Sequence, residues 1–385
     1  MIHRHIVNEL KTVLTEYPVV TILGPRQAGK TTLAKSMAGY QYSNLEHPET
    51  RVLAESDPVA YLGRFDGNVI IDEIQRVPDL LSYIQTIVDE DDRPGRFILT
   101  GSYQLRLREA VSQSLAGRTA ILHLMPLSVA ELLDAGLDQG TFDDYCIKGF
   151  LPRIYDKGLR PGRAYANYYQ TYVERDVRQL IQLKDMTAFE ALLKLMAGRV
   201  GQLMDYHSIA QDVGVSPKTI KNWISILEAS FIVFKLPPYF KNFGKRVIKA
   251  PKYYFTDVGL LCFLLGIRQK THVVRDPLVG GIFENLVVLE CVKALMNKGE
   301  MADLYFFRDS NKNEVDLLYA KGRQLVPVEI KAAATFSPFF LRGLKKMATT
   351  IKQVTHAYLV YNGQPLSLSD NTDAITFKSV HTIFK

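Results

Sequence analysis

Short apolar runs separated by amphipathic stretches organise this chain. Val19-Val20-Thr21-Ile22-Leu23, Val69-Ile70-Ile71 and Phe97-Ile98-Leu99 are apolar without alternation. That is the pattern of strands buried on both faces of a parallel sheet. Thr31 to Ala38 is compatible with a helix, and Ala120 to Leu124 reads as a further strand. From 126 to 200 apolar periodicity alternates with charge, as in Leu127-Ser128-Val129-Ala130-Glu131-Leu132-Leu133, and predicts helices. Ile209 to Val213 predicts a helix ending at Gly214, and Ser216-Pro217 then supplies an N-cap and a first helical residue for the next one. That helix places Ile220, Trp223, Ile224 and Leu227 on one face and Lys218, Lys221, Asn222 and Ser225 on the other. Strands at 231–236 and 253–255 bracket a basic loop with Lys241, Lys245, Arg246 and Lys249. Residues 281–290 predict a helix, and 303–307, 314–319 and 326–331 predict three strands.

Two of the apolar runs end in chemistry. Gly24-Pro25-Arg26-Gln27-Ala28-Gly29-Lys30-Thr31 fits the phosphate-loop pattern, in the strand–loop–helix context that pattern requires. Glycine backbone turns N–H groups toward an anion, and the following helix N-terminus adds partial positive charge. Gly24 through Thr32 would cradle the phosphates of ATP, Lys30 would reach the β- and γ-phosphates, and the Thr31 hydroxyl would sit on Mg²⁺. The second run ends in Asp72-Glu73, at the sheet edge where open α/β folds bind ligands. Asp72 would hold the Mg²⁺ shell and Glu73 would polarise the attacking water. The third run ends in Thr100-Gly101-Ser102; Ser102 or Thr100 would sense the γ-phosphate from the same edge, or cap a helix before Tyr103.

These motifs resemble the AAA-superfamily ATPases, in which a sensor strand lies between the Walker A and Walker B strands. The resemblance extends to Leu115-Ala116-Gly117-Arg118, where it implies that Arg118 reaches a neighbouring subunit's γ-phosphate, and hence a homo-oligomer. It also extends to Gly149-Phe150-Leu151-Pro152, where it implies a helical lid with Pro152 near the adenine. The helix-turn-helix, strand, basic loop and strand over 205–255 describe a winged helix, which would meet DNA phosphates through its lysines or serve as a packing module.

In a strand, residues two apart share a face, so Glu329 and Lys331 project together and Asp316 on the neighbouring strand reaches the same spot. Glu284 lies in an apolar helical stripe with Val287, Val288, Cys291 and Leu295, a costly position without a partner. Carboxylates and a lysine in this arrangement resemble the PD-(D/E)xK nuclease superfamily. The resemblance implies a Mg²⁺ or Mn²⁺ site at Glu284, Asp316 and Glu329, with Lys331 beside the water. Nearly the whole chain resembles a large family of bacterial and archaeal ATPases whose C-terminal domain has no known function.

Composition narrows the picture. Among 385 residues, three scattered cysteines exclude a disulfide scaffold or zinc ribbon and fit a reducing cytosol. Met1 to Tyr17 is charged and amphipathic rather than signal-like, and the longest apolar run, 258–267, is too short to span a bilayer. A cytoplasmic protein with no membrane association is therefore expected. The net charge of +7 favours a polyanionic partner such as DNA. The expected architecture is a multi-domain α/β chain: a P-loop ATPase core at 1–125, a helical lid and connector at 126–200, a winged helix at 201–256, and a restriction-endonuclease-like α/β domain at 257–385. Two functions remain open. One is an ATP-hydrolysing, DNA-associated enzyme with a metal-dependent phosphodiesterase site. The other is a nucleotide-controlled switch whose later domains bind DNA or a partner without cutting.

Overall fold

The structure is a computed structural model that describes residues 2–102, 111, 113–177, 186–239, 250–309, 313–351, 353–354, 356–368 and 371–385, with backbone alone at 174–177 and 350. The basic loop holding Lys241, Lys245, Arg246 and Lys249 lies outside the described residues, as does Tyr103.

Strands β1 (Val19–Gly24), β2 (Tyr40–Asn44), β3 (Asn68–Asp72), β4 (Phe97–Ser102) and β5 (Thr119–His123) form a five-stranded sheet in the order β2-β3-β4-β1-β5. Every pairing in it is parallel. The central strands β1, β3 and β4 are buried on both faces, so their sequences run apolar without alternation. On one face Leu23, Ile71 and Leu99 pack with Leu80, Ile84 and Val88, the last three from α3 (Leu80–Glu90). On the other, Val20, Ile22, Ile70 and Ile98 pack with Leu10 of α1 (Val7–Val13) and Leu33 of α2 (Lys30–Lys35). Parallel strands end at one edge, and β4 stands between β1 and β3. The phosphate loop, Asp72 and Ser102 are thereby neighbours.

Helices follow: α4 (Val129–Asp134), Phe142–Lys148, α5 (Pro152–Asp156), Pro161–Tyr168, a π-helix at Tyr169–Val177, and Met186–Gly198. Next, α6 (Tyr206–Val213) and α7 (Pro217–Ala229) form a helix-turn-helix, with the Ser216 hydroxyl capping α7 at the Thr219 N–H. The face containing Ile220, Trp223, Ile224 and Leu227 is buried, while Lys218, Lys221, Asn222 and Ser225 are exposed, as the periodicity requires. An antiparallel hairpin of β6 (Val233–Leu236) and β7 (Lys252–Phe255) comes next.

The C-terminal sheet has the order β12-β13-β11-β10-β9-β8. Its strands are β8 (Leu304–Arg308), β9 (Glu314–Lys321), β10 (Gln324–Lys331), β11 (Ala357–Tyr361), β12 (Leu366–Ser367) and β13 (Thr372–Thr376). It is mixed: β8, β9 and β10 are antiparallel neighbours, whereas β10, β11 and β13 run parallel. Helix α8 (Val279–Met296) packs on one face, together with the 3₁₀ segment Phe377–Phe384. Helix α9 (Arg342–Thr350) packs on the other through Leu344 and Met347. One buried apolar cluster runs from Met125 through the helical segment, the helix-turn-helix and the hairpin to Phe384. The helical segment, the hairpin and the inner face of the C-terminal sheet thus share one core, while the outer face of that sheet packs with α9 in a separate cluster. Tyr239 N–H donates to Phe306 O at 2.8 Å, so the chain leaving β6 extends the C-terminal sheet beyond β8. Cys146, Cys262 and Cys291 are buried free thiols. Among the described residues no helix is long and apolar enough to cross a membrane.

Candidate nucleotide site and a second polar cluster

The phosphate loop takes its shape from backbone demands. Gly24 has φ +156°, and a Cβ there would lie 2.1 Å from Leu124 O, so no larger residue fits beside β5's continuation. Gln27 and Glu73 adopt left-handed backbone, φ 63° and 60°, a conformation that clusters at functional sites when held by its surroundings. Lys30 is buried, and its ammonium donates to Gly24 O and Pro25 O, both at 2.9 Å. Burial lowers its pKa to about 8, against the opposing pull of Glu73 and Asp72.

The Thr31 hydroxyl donates to both Asp72 oxygens, at 3.1 and 2.9 Å. Tyr42 OH donates to Asp72 at 2.8 Å, and the Thr100 hydroxyl also donates to it. Gln75 Nε2 donates to the Glu73 carboxylate and, at 3.0 Å, to Ser102 Oγ. Gln75 Oε1 is buried with no partner. Thus Lys30, Thr31, Asp72, Glu73, Thr100 and Ser102 converge. The hydroxyl and carboxylate of Thr31 and Asp72 are oxygen donors of the kind Mg²⁺ takes, and the unpartnered Gln75 amide leaves one polar group for a further ligand. These residues fit a Mg²⁺–nucleotide. Gln75 and Tyr42 were not legible beforehand, since neither belongs to the motifs; only sheet order brings them in.

Pro152 stands at the first turn of α5 and lines a cavity of about 260 Å³ with Ala28, Gly29, Thr32, Leu33 and Met37. The cavity flanks the phosphate loop. Gly149 is needed for a separate reason: with φ 62°, a Cβ there would fall 1.7 Å from the Tyr165 hydroxyl. That hydroxyl donates to Asp257 at 2.7 Å, and Phe150 N–H donates to the same carboxylate at 3.0 Å. Arg26 projects over the Tyr172 ring of the π-helix at 5.8 Å. Arg118 lies at the opposite sheet edge, preceding the Val19–Thr119 pair, and forks onto Asp89 with one arm at 3.0 Å. It is not brought to its own chain's phosphate loop.

Arg4 ties this site to the rest and was missed in the sequence. Its guanidinium, buried, donates to Ala28 O at 2.7 Å, Met125 O at 2.7 Å and Glu131 Oε1 at 3.0 Å. Glu131 also closes a capping box with Ser128 on α4 and accepts His5 N–H at 2.9 Å. Burial pushes the Glu131 carboxyl up, but Arg4 and the donated N–H groups outweigh it and hold the carboxyl below its usual range. The Ser-x-x-Glu spacing is a capping-box pattern that the periodicity reading passed over; nothing local signals its arginine. The next link is Val129 N–H donating to Glu290 at 2.7 Å, with Lys293 Nζ bridging Glu290 and Leu127 O, both at 2.8 Å.

A second polar cluster lies on the C-terminal sheet. Lys331 Nζ contacts Glu329 Oε1 at 2.6 Å and Asp316 Oδ2 at 3.2 Å, so these three meet as strand alternation requires. Asp316 also accepts Ile330 N–H at 2.8 Å. Glu284 meets a different lysine: Lys252 Nζ of β7 lies 3.0 Å from Glu284 Oε1 and 2.7 Å from Glu314 Oε1, and Tyr254 OH donates to Glu284 at 2.5 Å. Burial, with Asp316 nearby, raises the pKa of both Glu284 and Glu329. Among the described residues no group of three or more His, Cys, Asp or Glu side chains is placed to hold a metal ion. The three carboxylates expected around one ion are divided between two ammonium groups, Glu284 on Lys252 and Asp316 with Glu329 on Lys331. Lys252 and Tyr254 share a face of β7, a pairing visible as strand alternation but unassigned until the hairpin is seen against α8.

The sheet order, the loop and the Thr31–Asp72 pair define an AAA-type P-loop domain. Residues 16–133 match the family described as AAA domain, residues 139–271 a domain of unknown function (DUF8612), and residues 279–380 another (DUF4143). Uncharacterized proteins of Mycobacterium tuberculosis and Mycobacterium bovis are 31% identical over 378 residues, covering 97% of this chain and 83% of each relative. The chain belongs to the family of these mycobacterial proteins. An uncharacterized protein of Methanocaldococcus jannaschii is 25% identical over 350 residues, covering 77% of this chain and 71% of its own. Among solved structures, the Walker-type ATPase PABY2304 of Pyrococcus abyssi is 14% identical with a TM-score of 0.43, covering 69% of this chain and 96% of its own.

Proposed function

We propose that this protein is an ATP-hydrolysing switch whose later segments bind DNA without cutting it. The observation that carries the first half is the contact of the Thr31 hydroxyl with Asp72, beside Lys30 and Glu73 at one sheet edge. Mg²⁺, held by Thr31 and Asp72, would neutralise charge on the β- and γ-phosphates. Lys30 turns its ammonium from the loop carbonyls to phosphate oxygens. Glu73, oriented by Gln75, accepts a proton from the attacking water, and Thr100 and Ser102 line the γ-phosphate side. The base packs against Pro152. Arg118 acts in trans within a homo-oligomer, leaving Asp89 for a neighbour's phosphate; its position at the far sheet edge supports a role between subunits rather than within one.

Glu73→Gln is expected to keep ATP binding and lose turnover by about 10²- to 10⁴-fold, since it removes the base alone. Mixing Glu73→Gln with Arg118→Ala chains should restore turnover above either variant alone. Glu73→Gln turning over at the wild-type rate would sink the hydrolytic assignment, and absence of rescue would remove Arg118 from the mechanism.

DNA association is supported by the exposed face of α7, with Lys218, Lys221, Asn222 and Ser225 opposite a buried apolar stripe, and by the net charge of +7. Binding should fall steeply with salt, and removing Lys218 or Lys221 should reduce the logarithmic salt slope by roughly one unit each. A salt-independent affinity would exclude phosphate contacts. Binding without cleavage is favoured over hydrolysis because Lys331 is spent on Asp316 and Glu329, and Glu284 on Lys252. Cleavage of any DNA by wild-type protein with Mg²⁺ or Mn²⁺ would reverse that choice.

A further inference from the structure

One of the two lysines in the C-terminal carboxylate cluster does not come from the sheet that carries Glu314, Asp316, Glu329 and Lys331. It comes from β7, the hairpin strand after the helix-turn-helix. Lys252 is 2% exposed, and its ammonium sits between Glu284 of α8 and Glu314 of β9, with the Phe306 ring 5.4 Å away. A lysine buried this deeply is expensive unless its charge is matched. The match is ample: Glu284, Glu314 and Asp316 all act on Lys252 and hold its pKa above the usual lysine range despite burial. Among the described residues, the other charges facing the cluster are Arg308, on Glu314 at 3.1 Å, and Lys331, on Asp316 and Glu329. Among the described residues four carboxylates thus face three cations, and Glu329 Oε2 is buried with no hydrogen-bond partner.

The hairpin is fastened so that Lys252 stays there. Glu284 takes Lys252 and Tyr254, while its neighbour Asn285, fully buried, accepts Phe255 N–H at 2.7 Å and donates to Phe255 O at 2.9 Å. Glu284 thus holds two side chains on one face of β7 while its neighbour Asn285 holds the backbone of Phe255. A divalent cation needs several oxygens at about 2.0–2.6 Å from one point. The point between Glu284 and Glu314 is taken by the Lys252 ammonium, which the docked hairpin brings there.

We propose that Lys252 Nζ is the resident cation of this carboxylate site, standing in place of a divalent metal and keeping the site closed to one while the hairpin is seated. The proposal deepens the non-cleaving reading above, and it makes the cluster a joint between the helix-turn-helix unit and the C-terminal sheet.

The test is Mn²⁺ binding to the full-length, nucleotide-free chain, read from the free-ion EPR signal. Wild type should hold no Mn²⁺ that Asp316→Asn removes. Lys252→Met should gain one Mn²⁺ per chain, at least tenfold tighter than any site in wild type, and Lys252→Met combined with Asp316→Asn should lose it. A folded Lys252→Met protein, checked by circular dichroism, that gains no Mn²⁺ overturns the proposal. So does a wild-type Mn²⁺ site sensitive to Asp316→Asn, a measurement that needs no Lys252 variant to fold. Wild-type Mn²⁺ binding that Asp316→Asn removes, without DNA cleavage, defeats this proposal alone, whereas cleavage defeats the reading on which it rests.

Discussion

Lys30→Ala is expected to weaken ATP binding by about 10²- to 10⁴-fold, measured by calorimetry or a fluorescent nucleotide. The ammonium would make at least two charged hydrogen bonds to phosphate, each worth about 1.5–3 kcal/mol. In the free protein those bonds are held by Gly24 O and Pro25 O, so the side chain is already aimed at the loop. The same residue sets a pH signature. Burial holds the Lys30 pKa to about 8, so the free protein carries a neutral amine above that pH. Phosphate oxygens favour the ammonium, and ATP binding should therefore take up a proton at pH 9 and almost none at pH 7. Calorimetry in buffers of different ionisation enthalpy reads this directly. For folding the sign is the reverse of a lysine that gains a partner. Between about 8 and the unfolded value of about 10.4 the unfolded chain binds more protons, so stability without nucleotide should rise with pH across that window. Undiminished ATP affinity in Lys30→Ala would remove the phosphate-loop assignment itself.

Arg4→Ala should cost about 3–5 kcal/mol of stability, because truncating one partner of a buried ion pair strands the other charge. Glu131 would be that charge, 1% exposed, while Ala28 O and Met125 O would each lose a donor. Replacing both partners with apolar residues, Arg4→Met with Glu131→Leu, should be milder than Arg4→Ala despite changing more atoms. The acid limb offers a second readout. The Glu131 carboxyl is held below its ordinary range, so its contribution is present above the unfolded carboxyl pKa and is lost as pH falls through the folded value. Arg4→Ala should therefore flatten the acid limb of the stability profile in urea titrations. A loss below 1 kcal/mol would mean the network is not what joins the N-terminal segment to α4. Because Arg4 also holds the Ala28 carbonyl inside the phosphate loop, the variant should bind ATP more weakly even where it stays folded.

Much of the nucleotide site was legible because its chemistry is local. Gly24, Gly29, Lys30 and Thr31 sit within one turn of chain, and Asp72-Glu73 ends a strand recognisable from its apolar run. The face split of α7 was readable for the same reason: helical periodicity sorts Trp223 from Asn222 without knowledge of any neighbour. Strand alternation likewise placed Glu329 beside Lys331, and the contact is 2.6 Å.

What the chain could not announce is partnership across distance. Arg4 meets Glu131, and Val129 meets Glu290, over separations of 127 and 161 residues. Glu284 in its apolar stripe signalled that a partner was required, because an unmatched buried carboxylate is costly. Whether that partner was a metal or a lysine depended on which strand docks against α8, and the hairpin brought Lys252. Sequence by itself thus determined the phosphate loop and the type and faces of the strongly patterned helices and strands, all consequences of backbone geometry and periodicity. Tertiary packing alone decided which buried charges neutralise one another, since electrostatic pairing depends on separation in space and not on position along the chain.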